Sequence, residues 1–244
     1  MQTNSLWHSI KSLLDIELSP VSHAERLASI GGGFTSILLI LLVSSQFVGT
    51  ADAALIVASM GASAVLLFAV PHGRLSQPWP VFGGHLVSAL VGVTCAQLVA
   101  EPILAAALAV GLAIGAMHYL RCIHPPGGAT ALTAVVGGAG VHELGYGFLV
   151  MPVLLNVIVI LLVAVLFNYP FAWRRYPAAL QQRQSATQKP EIPNEAYPAI
   201  SHSDFVYALS EIDSFIDVTE QDLVRIYELA TRRKVHQTDS QKIN

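Results

Sequence analysis

Seven consecutive residues, His124-Pro125-Pro126-Gly127-Gly128-Ala129-Thr130, gather an imidazole, two prolines, two glycines and a hydroxyl. The imidazole can exchange a proton near neutral pH, and the hydroxyl can donate a hydrogen bond. Proline lacks an N–H donor and glycine leaves the backbone loose, so such a run ordinarily marks a surface turn. Here the flanks are AAALAVGLAIGAMHYL and YGFLVMPVLLNVIVILLVAVLF, both apolar enough for hydrocarbon. Irregular backbone at membrane depth is tolerated where it lines a cavity or is buried in protein. The expected arrangement is extended chain over 124–128 and a half-helix beginning at 129–132. A helix start leaves unpaired N–H groups and about half a positive charge, which suits a small anion.

A second, less sharply marked place offers similar chemistry. Met60-Gly61-Ala62-Ser63 reads as another half-helix start, with Ser63 as its hydroxyl. Two such N-termini meeting near the midplane would hold an anion between Gly61–Ser63 and Gly127–Thr130. His124, next to the break, serves as a ligand contact or a local cap. His85, five residues into a span, lines the same path.

Other chemistries fit less well. Zinc hydrolases need ligands at fixed spacing, as in HExxH, and His142-Glu143 lacks the second histidine. Cys95 and Cys122 lie in or beside apolar segments and read as small hydrophobes. No metal, cofactor or enzymatic activity is expected. His72 reads as a loop histidine and His118 as interfacial packing. Asn156 reads as an amide pairing between helices, and Gln46 and Gln97 lie nearer the span ends. Intramembrane Asp or Glu commonly marks proton relays and cation paths, and the spans carry none away from their ends. That absence favours an anion over a cation.

The elements that must hold these residues are membrane spans. Of 244 residues, 53% are hydrophobic and 12% charged, against about 25% charged in ordinary soluble domains. Between Leu27 and Trp173 only Asp52, Arg74, Glu101, Arg121 and Glu143 carry a formal charge. Five apolar stretches stand out: Leu27–Gly49, Ala53–Val70, Val81–Ala100, Ile103–Leu120 and Tyr146–Phe167. A sixth, Cys122–Gly138, contains the broken run. Acid and base alternate along the window, ending at Arg174-Arg175. Since Lys and Arg favour the cytoplasmic side, six crossings with both termini inside put Arg26, Arg74, Arg121 and Arg174-Arg175 there. Asp52, Glu101 and Glu143 then lie outside, and Trp79 and Trp173 near the inner interface.

The chain also resembles itself. GASAVL at 61–66 matches GATALT at 128–133, displaced by 67 positions, and Pro80-Val81 corresponds to Pro152-Val153, displaced by 72. Three crossings per half would set the second half upside down, an inverted repeat with broken helices of the kind found in transporters. The expected fold is all-α and polytopic: about six segments in two inverted three-segment repeats, with two broken helices and a small C-terminal helical hairpin.

HPPGGATAL, together with GASAVLLFAVPHGRLSQPWPVFGGHLVSALVG upstream, resembles the HPP family of integral membrane proteins over about residues 20 to 170. The resemblance implies a compact bacterial or plastid membrane protein, and some members are associated with nitrite transport. The family is often described as four-span, unlike the six crossings read here. Some members carry CBS domains, for which this chain shows no pattern.

The ends are ordinary and polar. Residues 1–26 read as an amphipathic helix on the membrane surface or as a cap packed on the protein. Residues 27–173 form the transmembrane domain and 174–200 a cytoplasmic linker rich in Pro and Gln. Residues 201–244 read as a helical hairpin with two capping patterns, docking on the membrane domain or a second subunit. The function expected is transport of a small inorganic anion, nitrite or similar, across a bacterial inner membrane. The rival is a membrane scaffold or sensor with the hairpin as output. Lipid and a second copy, making a dimer, are the expected partners, and nucleic acid is not.

Overall fold

A computed structural model describes residues 22–47 and 50–180. The segment 1–21, the linker beyond 180 and the hairpin at 201–244 lie outside the described residues.

Ser22 starts the first span: its Oγ accepts the N–H of Glu25 at 3.1 Å, a side-chain cap that satisfies one of the free donors of a helix start. Helix α1 then runs His23–Ser44, α2 Thr50–Ala69, α3 Pro78–Leu98 and α4 Pro102–Tyr119. At about 1.5 Å per residue, each of these is long enough to cross hydrocarbon. Prolines open α3 and α4, where a missing N–H costs nothing. Glu101 caps α4 by accepting from the N–H groups of Ile103 and Leu104.

The broken run follows. Arg121, at φ 55°, turns the chain out of α4, with Cys122 N–H on the Met117 carbonyl and Arg121 N–H on that of His118. This crossed pair of bonds is a Schellman stop, and it leaves Cys122–His124 outside any helix, with His124 extended. Helix α5 then runs Pro125–Val136, only 12 residues. A short helix α6 spans Ala139–Leu144. The last span begins as a wide turn at Leu149–Leu154, broken at Met151 (φ −127°, ψ 112°), and continues as α7, Leu155–Asn168.

Contacts at the ends fix the direction of each passage. At one end Ser29 Oγ donates to the Phe68 carbonyl, Asn168 Nδ2 to Leu67, Trp79 Nε1 to Leu120, and His124 Nδ1 to Leu75. At the other, Ser44 pairs with Asn156, Thr94 with Tyr146, and the Gly138 N–H with Asp52. The chain therefore passes between the two ends six times. The helix of α5 rises about 18 Å at 1.5 Å per residue, and the extended His124 before it advances about 3.3 Å. Arg74, Arg121 and Arg174 share one end, and Asp52, Glu101 and Glu143 the other.

The same helix pairs meet in the two halves, though not equally closely. Helix α1 packs on α2 as α4 packs on α5, and the last span packs on α1 as α3 packs on α4. Helix α3 leans on α5 as α7 leans on α2, and α2 meets α5 across the middle. Helix α3 comes close to the α5 backbone: a Cβ on Gly92 would lie 2.5 Å from the Ala131 carbonyl. Among the described residues every regular element is helical, so the protein is an all-α polytopic membrane protein.

Three expectations change. Residues 61–63 lie inside the unbroken α2, so no half-helix starts there. Nothing in GASAVL removes a backbone donor, and the Ser63 hydroxyl reaches the Ser59 carbonyl one turn back at 3.3 Å. The second break is instead at Met151-Pro152. Finally, Pro125-Pro126-Gly127-Gly128 is the first turn of α5, not extended chain. Proline's fixed φ suits the first helical position, and the Gly127 N–H closes on the His124 carbonyl at 2.8 Å.

Candidate functional site

Helices α2, α3 and α5 each send hydroxyl or imidazole groups to one point. Ser63 comes from the C-terminal half of α2, His85 from the start of the third turn of α3, and Thr130 from the second turn of α5. His124 is the residue before α5 and adopts an extended conformation (φ −140°, ψ 102°). All four are buried. Gly84 makes this possible: a Cβ there would lie 2.6 Å from His124 Cβ.

The bonds form a continuous chain. Ser63 Oγ lies 2.8 Å from His85 Nε2 and 2.8 Å from His124 Nε2. His85 Nδ1 lies 2.7 Å from Thr130 Oγ1, and His124 Nδ1 lies 2.8 Å from the Leu75 carbonyl. The two rings meet edge to face with centroids 5.0 Å apart. Ser59, also buried, stands 3.2 Å from Thr130 Oγ1.

Donor and acceptor roles follow from the inventory of each group. A carbonyl only accepts, so His124 Nδ1 carries a proton. In a neutral ring Nε2 is then an acceptor, and Ser63 Oγ–H is its donor. Ser63 has no second proton, so His85 Nε2–H donates to Ser63. His85 Nδ1 must then accept, and Thr130 Oγ1–H supplies that bond. In the neutral cluster every bond points one way, from Thr130 through His85, Ser63 and His124 to Leu75. Among the described residues no carboxylate is bonded to either ring, and no group of three or more His, Cys, Asp or Glu is arranged to hold a metal.

The sequence-derived site is thus partly gathered and partly dispersed. Ser63, His85, His124 and Thr130 converge. Gly61 and Ala62 sit on the outer side of α2: an added Cβ at Gly61 meets nothing within 4 Å, and Ala62 is exposed. Pro126 and Gly127 are buried against α3, where a Cβ on Gly127 would lie 2.7 Å from the Gly84 carbonyl and 2.8 Å from Ser88 Oγ. Pro125, Gly128 and Ala129 face the opposite way. They line an apolar cavity of about 510 Å³ with Leu132 and, from α4, Val110, Ile114 and Met117.

The source of polarity differs from the expectation of N–H groups. Of the first three residues of α5, two are prolines without an N–H, and the third N–H is spent on His124. Side chains, not backbone donors, make this point of the membrane polar. Sequence reasoning missed Ser59, Ser88 and the Leu75 carbonyl. Ser59 lies four residues before Ser63, one helical turn, and that spacing is the signal that finds it.

Asn156 does what its position in an apolar span implies: its Nδ2 donates to Ser44 at 2.8 Å, joining α7 to α1. His118 is exposed, and Trp79 and Trp173 lie at the arginine-bearing end. Arg174 is no exposed interface residue. It is fully buried and paired with Glu25, and Tyr176 is buried too, so the bundle continues past Trp173.

Two curated transmembrane proteins of Dictyostelium discoideum are similar to this chain. They are 37% and 38% identical over 148 residues, which make up 59% of this chain and 52% and 47% of theirs. The chain therefore spans about half the length of these relatives. No solved structure matches it. The His-Pro-Pro turn that opens α5 lies within residues 18–177, which match the transmembrane region of the HPP proteins, and the chain belongs to that family.

Proposed function

We propose that the protein carries a small inorganic anion across a bacterial inner membrane, with nitrite the first candidate and both termini in the cytoplasm. The observation that carries this reading is the buried Ser63–His85–His124–Thr130 cluster, polar and free of carboxylates, between three helices. A cation would find no carboxylate there, only hydroxyl and carbonyl oxygens and two imidazole acceptors that are already hydrogen-bonded. An anion finds N–H and O–H donors, which gain strength in a low-dielectric setting. The non-helical Cys122–His124 places this polarity where a continuous helix would bury its own backbone groups.

The test is flux. Purified protein in proteoliposomes should move nitrite faster than protein-free vesicles, with nitrate, formate and chloride as comparators. Sidedness is tested by impermeant thiol labelling after Arg74, which should react only from the cytoplasmic face.

A second reading has one observation in its favour. The cluster is closed, each ring nitrogen already has a partner, and the cavity beside it is apolar. A scaffold or sensor would use such a network to fix three helices. Absence of flux for all four anions, in protein that is folded and correctly inserted, would establish that reading instead.

A further inference from the structure

The hydroxyl of Ser63 has two acceptors within reach. One is His124 Nε2 at 2.8 Å, the other the carbonyl of Ser59 at 3.3 Å. In the neutral cluster it must serve His124. If one proton is added at His124 Nε2, the Ser63 O–H swings to Ser59. Its two lone pairs then accept His124 Nε2–H and His85 Nε2–H together. His124 Nδ1–H stays on Leu75, and Thr130 O–H stays on His85 Nδ1. Every donor keeps an acceptor in both states. The cluster is therefore built to hold either of two proton counts without leaving a buried group unpaired.

It is not built to balance the charge. Among the described residues the groups bonded to or stacked on His124 are Ser63 from α2, His85 from α3 and the Leu75 carbonyl, with exposed Arg74 next to it in sequence; the Cys122 thiol, on the same segment, lies against Gly83. None is an acid. Positive dipole from the start of α5 opposes the charge further. A second proton on His85 is resisted by the first, since the rings are 5.0 Å apart. An imidazolium buried without a counter-ion is costly, so the charged state calls for an anion from outside the protein.

We propose that His85, Ser63 and His124 form a one-proton store whose counter-ion is the transported anion, so that transport is proton–anion symport. This rests on the anion-transport reading above. In the step, an O–H bond of a hydronium ion from one side of the membrane breaks and an N–H bond forms at His124 Nε2, which faces Ser63. The anion binds beside the imidazolium, and both leave on the other side as the ring returns to neutral. No oxidation or group transfer is involved. Binding is reciprocal: the anion raises the proton affinity of the triad by the factor by which the proton raises anion affinity.

Two measurements on the full chain test this. In a weakly buffered nanodisc sample near neutral pH, sodium nitrite should draw about one proton per chain from solution, as the single-site linkage requires. His124→Gln should abolish that uptake, and Ser63→Ala should reduce it several-fold, with thermal melts confirming that each variant folds. In proteoliposomes, an inward acid gradient should drive nitrite accumulation by about tenfold per pH unit, the limit for one proton per anion, net of protein-free vesicles. A clamped membrane potential should leave it unchanged, because the pair is neutral. Nitrite flux that ignores the pH gradient, with no proton uptake, overturns symport and leaves anion transport standing. No nitrite flux under any gradient, with no proton uptake, overturns both. Full proton uptake by folded His124→Gln overturns the assignment to this triad.

Discussion

Two of the buried polar clusters among the described residues are satisfied in different ways. At the arginine-bearing end, Arg174 is enclosed by fixed partners: the Glu25 carboxylate, the Phe68 carbonyl at 2.6 Å, Asn168 Oδ1 at 3.0 Å and Ser29 Oγ at 3.2 Å. Trp173 Nε1 holds the other Glu25 oxygen at 2.9 Å. Charge is met by charge within the fold. In the Ser63 cluster, titratable rings are met only by hydroxyls and one carbonyl. The first arrangement closes the bundle by joining α1, α2 and α7. The second holds two titratable rings with no carboxylate bonded to either, the feature on which the proposed transport reading rests.

That contrast is most easily broken at the ion pair. Arg174→Ala leaves Glu25 buried without its cation, and losing one partner of a buried pair costs about 3–5 kcal/mol. Thermal unfolding in detergent should show a large drop for Arg174→Ala and for Glu25→Ala. The double substitution Glu25→Leu with Arg174→Met should recover much of it, because no charge is then stranded. A melting temperature untouched by Arg174→Ala would deny the pair its structural role.

The next effect separates the two faces of α5. A Cβ at Gly127 meets backbone, whereas at Gly128 the nearest atom is Val110 Cγ1 at 3.9 Å. Gly127→Ala should cost about 1–3 kcal/mol by overpacking. Gly128→Ala should be neutral or stabilising by up to about 1 kcal/mol, since alanine favours helix. Equal melting temperatures for the two variants would contradict this division of the turn.

A smaller pair of substitutions compares the candidate site with ordinary packing. Thr130→Val removes the donor to His85 Nδ1 at similar volume and should cost about 0.5–1.5 kcal/mol, lowering nitrite affinity by up to about tenfold. Ser44→Ala removes the partner of Asn156, and such interhelical bonds average about 0.6 kcal/mol. It should leave flux per folded molecule unchanged. Flux lost in Ser44→Ala and kept in Thr130→Val would reverse the two assignments.

How far the sequence carries depends on range. The spans were legible because apolar length is a local property, and the alternation of Asp52, Arg74, Glu101, Arg121 and Glu143 orders their ends. The break at His124 was legible because proline and glycine act on their own backbone. The convergence of Ser63, His85, His124 and Thr130 was named, but as two helix starts. Its actual geometry depends on Gly84 and Gly92 letting α5 approach α3, a contact between distant segments. Small-residue similarity at Gly61 matched a twofold packing relation but not a second break, since a helix tolerates Gly-Ala-Ser where it does not tolerate Pro-Pro. The Glu25–Arg174 pair joins residues 149 apart in sequence, and no local pattern announces it.

The smallest expected effect comes from a third histidine. His72 lies in the loop between α2 and α3, outside the spans, and burial holds its imidazole below the ordinary value of 6.5. The Arg175 backbone and Glu25 oppose that shift, and Arg174 adds to it. Because the folded value is depressed, the unfolded chain takes up this proton first as pH falls. The contribution of His72 to stability is therefore complete above about pH 6.5, the unfolded value, and is lost as pH falls from there through the folded value. His72→Gln should flatten that part of the melting-temperature profile slightly. It should not alter the pH dependence of nitrite uptake, because His72 has no bond to the Ser63 cluster. His124→Gln should do the reverse in transport, removing the response to a pH gradient. If His72→Gln removed that response instead, the proton would enter through the ion-pair end, and the separation between the two clusters would fail.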